Sequence, residues 1–270
     1  MIFGWPKVLY VTWQDPRSRQ YWPVGRLRVF AQGTDRRYEF VYLRGARKTG
    51  DAHFRGFVGF PDLKEVYRDH ELFPLFANRI MNRRRPDFGE FVTRLDLDPN
   101  TADDLDILAR SGGRRVTDSI EVFAKPDLIR DGCYQTYFLS HGIRYLNPGI
   151  QRLLEASVQE GDRLYLQWDT QNSADPRAMS LRTEDHLSAG FVPRYLLDDA
   201  WDLHVNQEVC GWPIKVTVAQ VNPAPAPMQQ RIVCRMEACW RDGFVPYRSD
   251  DYQPIPAGVV LPEDGSDSPP

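Results

Sequence analysis

Several things are missing from this 270-residue chain, and each absence narrows what it can be. No apolar stretch approaches the roughly 18 residues of a membrane-spanning helix. The opening MIFGWPKVLYVTWQDP is too short and too aromatic in its apolar part for a secretory leader, so a cytoplasmic location with no membrane partner is expected. The four cysteines, Cys133, Cys210, Cys234 and Cys239, show no CxxC spacing and read as buried free thiols. Cys234 and Cys239 fall on one expected strand, where an odd separation sends them to opposite faces. There is no GxxxxGK[ST] phosphate loop, no HExxH, no GxSxG elbow and no kinase HRD with a following DFG. RGARKTG carries its glycine and lysine in the wrong order, and the five histidines, at 53, 70, 141, 186 and 204, stand singly. DLDPNTADDLD has the acidity of a calcium loop, but Thr101 occupies the glycine position and Ile107 that of the bidentate glutamate. No enzyme activity, cofactor or metal is expected.

What is present is a globular composition, with 42% hydrophobic residues and a net charge of -3. That small net charge hides an asymmetry. Residues 1 to 125 hold 22 Lys and Arg against 17 Asp and Glu, and the remainder holds 12 against 20. An acidic second half argues against nonspecific nucleic-acid binding over its whole surface, because such affinity rests on counterion release; any contact there must be local. The run Arg83, Arg84, Arg85 in the basic half has two readings, a phosphate grip by guanidinium forks or a solvated helix end.

Alternation predicts strands at KVLYVTW, YWPVGRLRVF and RRYEFVYLRGA, which make an antiparallel sheet. From Phe60 the apolar spacing turns helical, with starts expected at Pro61 and Pro74, so helices cover one face of that sheet. Thr101 is the expected N-cap of a short helix that stops at Gly112 and Gly113. Pro126 to Gly132 reads as a linker. Strands resume in CYQTYFLSHGIRYL, followed by a helix in PGIQRLLEASV with Ile150, Leu153, Leu154 and Val158 on one side. GDRLYLQW, AMSLRT and SAGFVP are further strands, RYLLDDAWDLH reads as a helix, and IKVTVAQV with RIVCRMEACW forms a long hairpin around NPAPAPMQQ. PEDGSDSPP has no apolar anchor and is expected to be disordered. The fold class is therefore α+β, divided into residues 1–130, 131–204, a hairpin extension at 205–261 and a tail at 262–270.

The stretch QWDTQNSADPRAMSL interrupts strand alternation with small and polar residues around Asp175. An ordinary turn explains it. Nearby, Tyr145, Tyr165 and Trp168 either fill the interior of a small barrel or offer faces on which a base stacks while an arginine holds the phosphate.

The ordered series HGIRYL (141–146), EGDRLYLQWD (160–169), NSADPRAM (172–179) and AGFVPRYLLDDAWDL (189–203) resembles the HIRAN domain over residues 133 to 204. The resemblance implies an OB-like β-barrel that binds DNA, as single strands or 3′-hydroxyl ends. By position it puts Arg144 along the phosphates, Tyr145 on a terminal base and Asp175 on the terminal hydroxyl. Trp168, Asn172, Arg194 and Tyr195 complete the implied nucleic-acid site. Leu146 and Ala174 stand where the family pattern often has aromatics, and Trp168, Phe191 or Tyr195 are the candidates to replace a lost stacking face. VGRLRV, YEFVYLRGA, LFPLFANRIM and ILARSGGRRVTDSIEVF are similar in order to the N-terminal subdomain of HipA-type kinases, over residues 8 to 125. That similarity implies a protein-interaction surface, and no HipA catalytic residue carries over. Together the resemblances imply a noncatalytic DNA-binding protein of bacterial DNA repair or mobile-element defence. The rival reading is a HipS-like antitoxin or scaffold for a kinase or nuclease partner.

Overall fold

The computed structural model describes residues 7–32, 35–49, 54–129, 133–172, 175–210, 213–239 and 244–255. The tail expected at 262–270 lies outside them. The chain divides into two compact units, one formed by Met1–Ile80, Gly112–Lys125 and Gly243–Pro270, the other by Met81–Ser111 and Pro126–Asp242.

In the first unit the alternating segments become β1 (Lys7–Gln14), β2 (Tyr21–Gln32) and β3 (Asp35–Tyr42). With β4 (Tyr67–Asp69) and β5 (Ile120–Ala124) they form an antiparallel sheet in the order β4-β3-β2-β1-β5. Leu9, Val11, Leu27, Val29 and Phe40 are fully buried. Phe40 stacks on Phe60 at 4.3 Å and meets Phe76 at 5.9 Å. The helix expected from Pro61 does not form. Tyr67–Asp69 is a strand instead, and only the single turn α1 (Pro74–Ala77) follows. The rings of Phe60, Phe73 and Phe76 bury themselves from loop and turn backbone, so an apolar spacing that mimics a helix is satisfied without one.

The second unit begins with α2 (Phe88–Thr93) and α3 (Asp104–Ser111). The cap of α3 is Asp103, whose Oδ1 accepts from the Leu105 amide at 2.7 Å, and not Thr101, whose hydroxyl bonds to Asp98 at 3.2 Å. Asp98 captures the threonine and moves the helix start onward. Gly112 and Gly113 adopt the positive φ values, 74° and 55°, that end the helix as expected. The expected linker contains β6 (Asp127–Ile129), which pairs antiparallel with the start of β7 (Cys133–Leu139), Leu128 in register with Tyr134. Pro126 precedes the strand and so costs no ladder bond.

After α4 (Pro148–Ser157) come β8 (Arg163–Trp168), β9 (Met179–Arg182), β10 (Ser188–Phe191), α5 (Leu197–Cys210), β11 (Lys215–Val221) and β12 (Ile232–Cys239). Asn147 caps α4 through the Gly149 amide at 2.7 Å, and Leu154 and Val158 are buried. Leu153, expected on the same side, is exposed. The sheet order is β10-β9-β8-β11-β12-β7-β6, so the hairpin strands β11 and β12 lie in its middle. The sheet curls and brings its edge strand β10 to the end of β7, next to the other edge: His141, just past β7, and Phe191 on β10 exchange both backbone hydrogen bonds, at 3.0 and 2.9 Å. Of the thiols, Cys234 is buried and Cys133 and Cys239 are half-buried.

Candidate functional site

The closing seam of the curled sheet organises the candidate residues. Ser140 Oγ donates to the Ala189 carbonyl at 2.6 Å beside the His141–Phe191 bridge. Gly190 makes this approach feasible, since its φ is +101° and an added Cβ would lie 2.2 Å from Ser140 Oγ and 2.6 Å from the His141 carbonyl. Gly142, at φ +80°, then turns the chain into the single 3-10 turn Ile143–Tyr145. Gln151 on α4 pins that turn by donating to the carbonyls of Ile143 (3.1 Å) and Leu146 (2.9 Å).

The pinned turn holds Arg144 and Tyr145 outward. Tyr145 is 74% exposed, the Arg144 guanidinium lies 4.5 Å from its ring centre, and Arg144 Nη2 donates to its hydroxyl. A cation over a ring face is a favourable pair and a prepared platform. Tyr165 and Trp168 are exposed too, so the barrel-filling alternative for these three aromatics is not realised. Tyr165 lies on the outer face of β8 with the Arg163 guanidinium 5.1 Å from its ring. Trp168, at the end of β8, donates from Nε1 to the Pro176 carbonyl at 2.8 Å and meets Trp201 of α5 edge-on at 4.9 Å. Trp168 and Trp201, with Arg177, Leu197 and Asp198, line a pocket of about 230 Å³, whose rim is tied by the Arg177–Asp198 ion pair at 2.6 Å.

The loop from β8 to β9 is closed by the Asp169 amide on the Ala178 carbonyl at 2.9 Å. Asn172 Oδ1 accepts from the Asp175 amide at 3.1 Å, and Asp175 Oδ1 accepts from the Arg177 amide at 3.0 Å, the turn-capping geometry. Its other oxygen, Oδ2, lies 3.2 Å from Arg194 Nε, with the Asp175 side chain only 15% exposed. Asp175 is thus a neutralised carboxylate and not a lone charge. Tyr195 packs edge-on against His141 at 6.4 Å, which links the Asp175–Arg194 pair to the seam that carries Arg144 and Tyr145. Ala174 lies outside the described residues.

The arginine run is on α2's approach and largely engaged. Arg83 binds Asp104 (2.6 Å) and the Ala102 carbonyl (2.8 Å), and Arg85 binds Asp87 (2.8 Å). Arg84 is exposed. Sequence reasoning assigned no role to Trp201, Arg177 or Gly190, although all three lie within the motifs of the resemblance. Trp201 had a legible sign, its position four residues after Leu197 on one helix face; the other two act only through partners distant in sequence. Among the described residues no group of three or more His, Cys, Asp or Glu could hold a metal, and no helix is long and apolar enough to cross a membrane.

No protein-family model and no curated protein matches the chain. Among solved structures it is similar to a protein from Lactobacillus plantarum, at 19% identity and TM-score 0.29, covering 40% of this chain and 97% of that one. It is also similar to the HIRAN domain of human HLTF, at 16% identity and TM-score 0.26, covering 39% of this chain and 72% of that one.

Proposed function

We propose that the second unit binds single-stranded DNA or strand ends, without catalysing a reaction, by stacking a base on Tyr145 and seating a second aromatic surface in the Trp168–Trp201 pocket. The observation that carries this reading is the solvent-open Tyr145 ring with Arg144 folded over it, on a turn pinned by Gln151. A large ring held out in water has no packing role, and stacking on a base is worth about 1 to 3 kcal/mol. The guanidinium answers the adjacent phosphate. Arg194 bears on end recognition. Because it compensates Asp175, a 3′-phosphate meets a dipole-like pair and not a bare negative charge, so discrimination between 3′-hydroxyl and 3′-phosphate ends is small.

The test is fluorescence anisotropy with oligonucleotides that end in 3′-hydroxyl or 3′-phosphate, using the full chain and Tyr145→Ala. Saturable binding that weakens several-fold in the variant supports the reading. Absence of binding to either oligonucleotide defeats it and returns the protein-interaction module to the front.

A further inference from the structure

The first unit buries a cation, Arg26, whose guanidinium no described side chain or backbone group meets with a hydrogen bond. Arg26 lies within β2, opposite Tyr10 on β1 and Val41 on β3. It is 0% exposed, and Nε, Nη1 and Nη2 all lack a hydrogen-bond partner among the described residues. A guanidinium carries five N–H donors and stays protonated at ordinary pH. Enclosing such a charge without compensation costs several kcal/mol. Burial pulls its pKa down from the ordinary value, more than any neighbouring charge shifts it.

The surroundings point to what is missing. Arg28 shares the Arg26 face of β2, and Arg28 and Arg68 both converge on Glu39, at 3.9 and 3.0 Å. That carboxylate is already shared by two guanidinia. Tyr10, the strand neighbour of Arg26, packs in turn against Phe123 (5.9 Å), Tyr247 (5.0 Å) and Tyr252 (5.1 Å). Tyr247 and Tyr252 come from a strap, residues 244–255, that returns across this face. Its hold is partly backbone, from the Arg44 amide to the Gln253 carbonyl (2.8 Å) and from the Ile255 amide to the Tyr42 carbonyl (2.9 Å). The buried rings of Tyr247 and Tyr252 and the ion pairs of Arg44 with Asp250 and of Lys48 with Asp251 add to it. Ion pairs near the surface are weak and screened by salt.

We propose that Arg26 is the base of an enclosed binding site for one small oxyanion, of the phosphate, sulfate or carboxylate class, beneath the Tyr247–Tyr252 strap. A planar guanidinium fork matches two oxygens of such an anion, and the aromatic walls keep water from competing for the pair. Arg28, two residues along the same face, adds to the local positive potential. The site belongs to the first unit and uses none of the residues of the proposed DNA site, so either reading can fail without the other.

Thermal unfolding of the full chain in phosphate, sulfate, acetate and chloride, at equal ionic strength and pH, tests it with wild type and Arg26→Met. One oxyanion is expected to raise the wild-type Tm by several degrees over chloride, saturably, and the variant is expected to lose that response. Equal melting in all four salts, or a response that persists in Arg26→Met, overturns the proposal. Should that variant not fold, equilibrium dialysis of the wild type against labelled phosphate, sulfate and acetate decides the question. One saturable anion per chain supports the site, and no saturable uptake of any of the three overturns it.

Discussion

Arg194 Nε lies 3.2 Å from Asp175 Oδ2, so a carboxylate in the β8–β9 loop is balanced by a guanidinium from the turn before α5. This pairing decides how the loop behaves. It ties a turn otherwise held by its own Asn and Asp contacts to the turn that follows β10, and it removes the net charge that would repel an added phosphate.

The pair gives a direct prediction. Arg194→Gln leaves a mostly buried carboxylate without its cation, and the expected cost is about 1 to 3 kcal/mol. Asp175→Asn in the same background restores part of that loss, because the stranded charge is gone. Urea unfolding of the single and double variants measures both effects, and strict additivity would show the two residues to be uncoupled.

Tyr145→Ala separates stability from binding. The ring is 74% exposed, so the variant is expected to unfold within about 0.5 kcal/mol of wild type. Its affinity for single-stranded DNA is expected to fall by about 1 to 3 kcal/mol. Trp168→Ala differs, because it also removes the Trp201 contact and the bond to the Pro176 carbonyl, and a melting shift accompanies the binding loss.

Gly190→Ala tests the seam. The new Cβ would fall 2.2 Å from Ser140 Oγ at a φ of +101°, a backbone conformation that L side chains rarely adopt. The expected destabilisation is about 2 kcal/mol or more. Exchange of the His141 and Phe191 amides, protected by their mutual hydrogen bonds, is the sharpest readout, and unchanged protection would remove the seam from the account of the fold.

Cysteine chemistry follows from register. Cys133 and Cys239 stand directly opposite each other on β7 and β12, both half-buried. Antiparallel neighbours have Cα atoms about 4.5 or 5.5 Å apart, inside the range a disulfide spans. Mild oxidation with diamide is expected to cross-link them, with the linked peptide identified by mass spectrometry and abolished in Cys133→Ser. Cys234, buried with its pKa pushed up by desolvation, is expected to stay unmodified in the native protein.

The alkaline limit of stability has a definite sign. Burial raises the pKa of the Cys234 thiol and the Tyr42 hydroxyl in the folded chain. Above the ordinary thiol value of about 8.5, and again above the ordinary phenol value of about 10, the unfolded chain releases protons that the folded chain keeps. Stability therefore falls as pH rises through that window. Tyr42→Phe reduces the second step, to which Tyr67 also contributes, but also loses the bonds between its hydroxyl, the Phe60 carbonyl (2.7 Å) and the Phe57 amide (2.6 Å), so it starts lower at neutral pH. Denaturation midpoints measured from pH 7 to pH 11 check both the slope and the offset.

Local signals in the sequence determined much of the secondary structure. Period-two alternation in KVLYVTW and RIVCRMEACW, the glycine pair at 112 and 113, and Pro148 behind Asn147 each act within a few residues, and the corresponding strands, stop and helix are all present. The adjacency of Arg144 and Tyr145 is equally local, because neighbours in sequence remain neighbours in space. Where a local signal had two solutions, as for the apolar spacing after Phe60, it misled, since rings can be buried from a loop as well as from a helix.

Only the tertiary structure decided the rest. Period two says which face a side chain takes and nothing about which strand lies beside it, so the insertion of β11 and β12 between β8 and β7 could not be read from alternation. Arg194 beside Asp175, Trp201 beside Trp168 and Tyr247 beside Tyr10 are brought together by sheet order and by a returning strap, over separations of 19, 33 and 237 residues. Charge compensation, pocket walls and burial depend on those long-range neighbours, because free energy is assigned by what surrounds a group in space and not by its position along the chain.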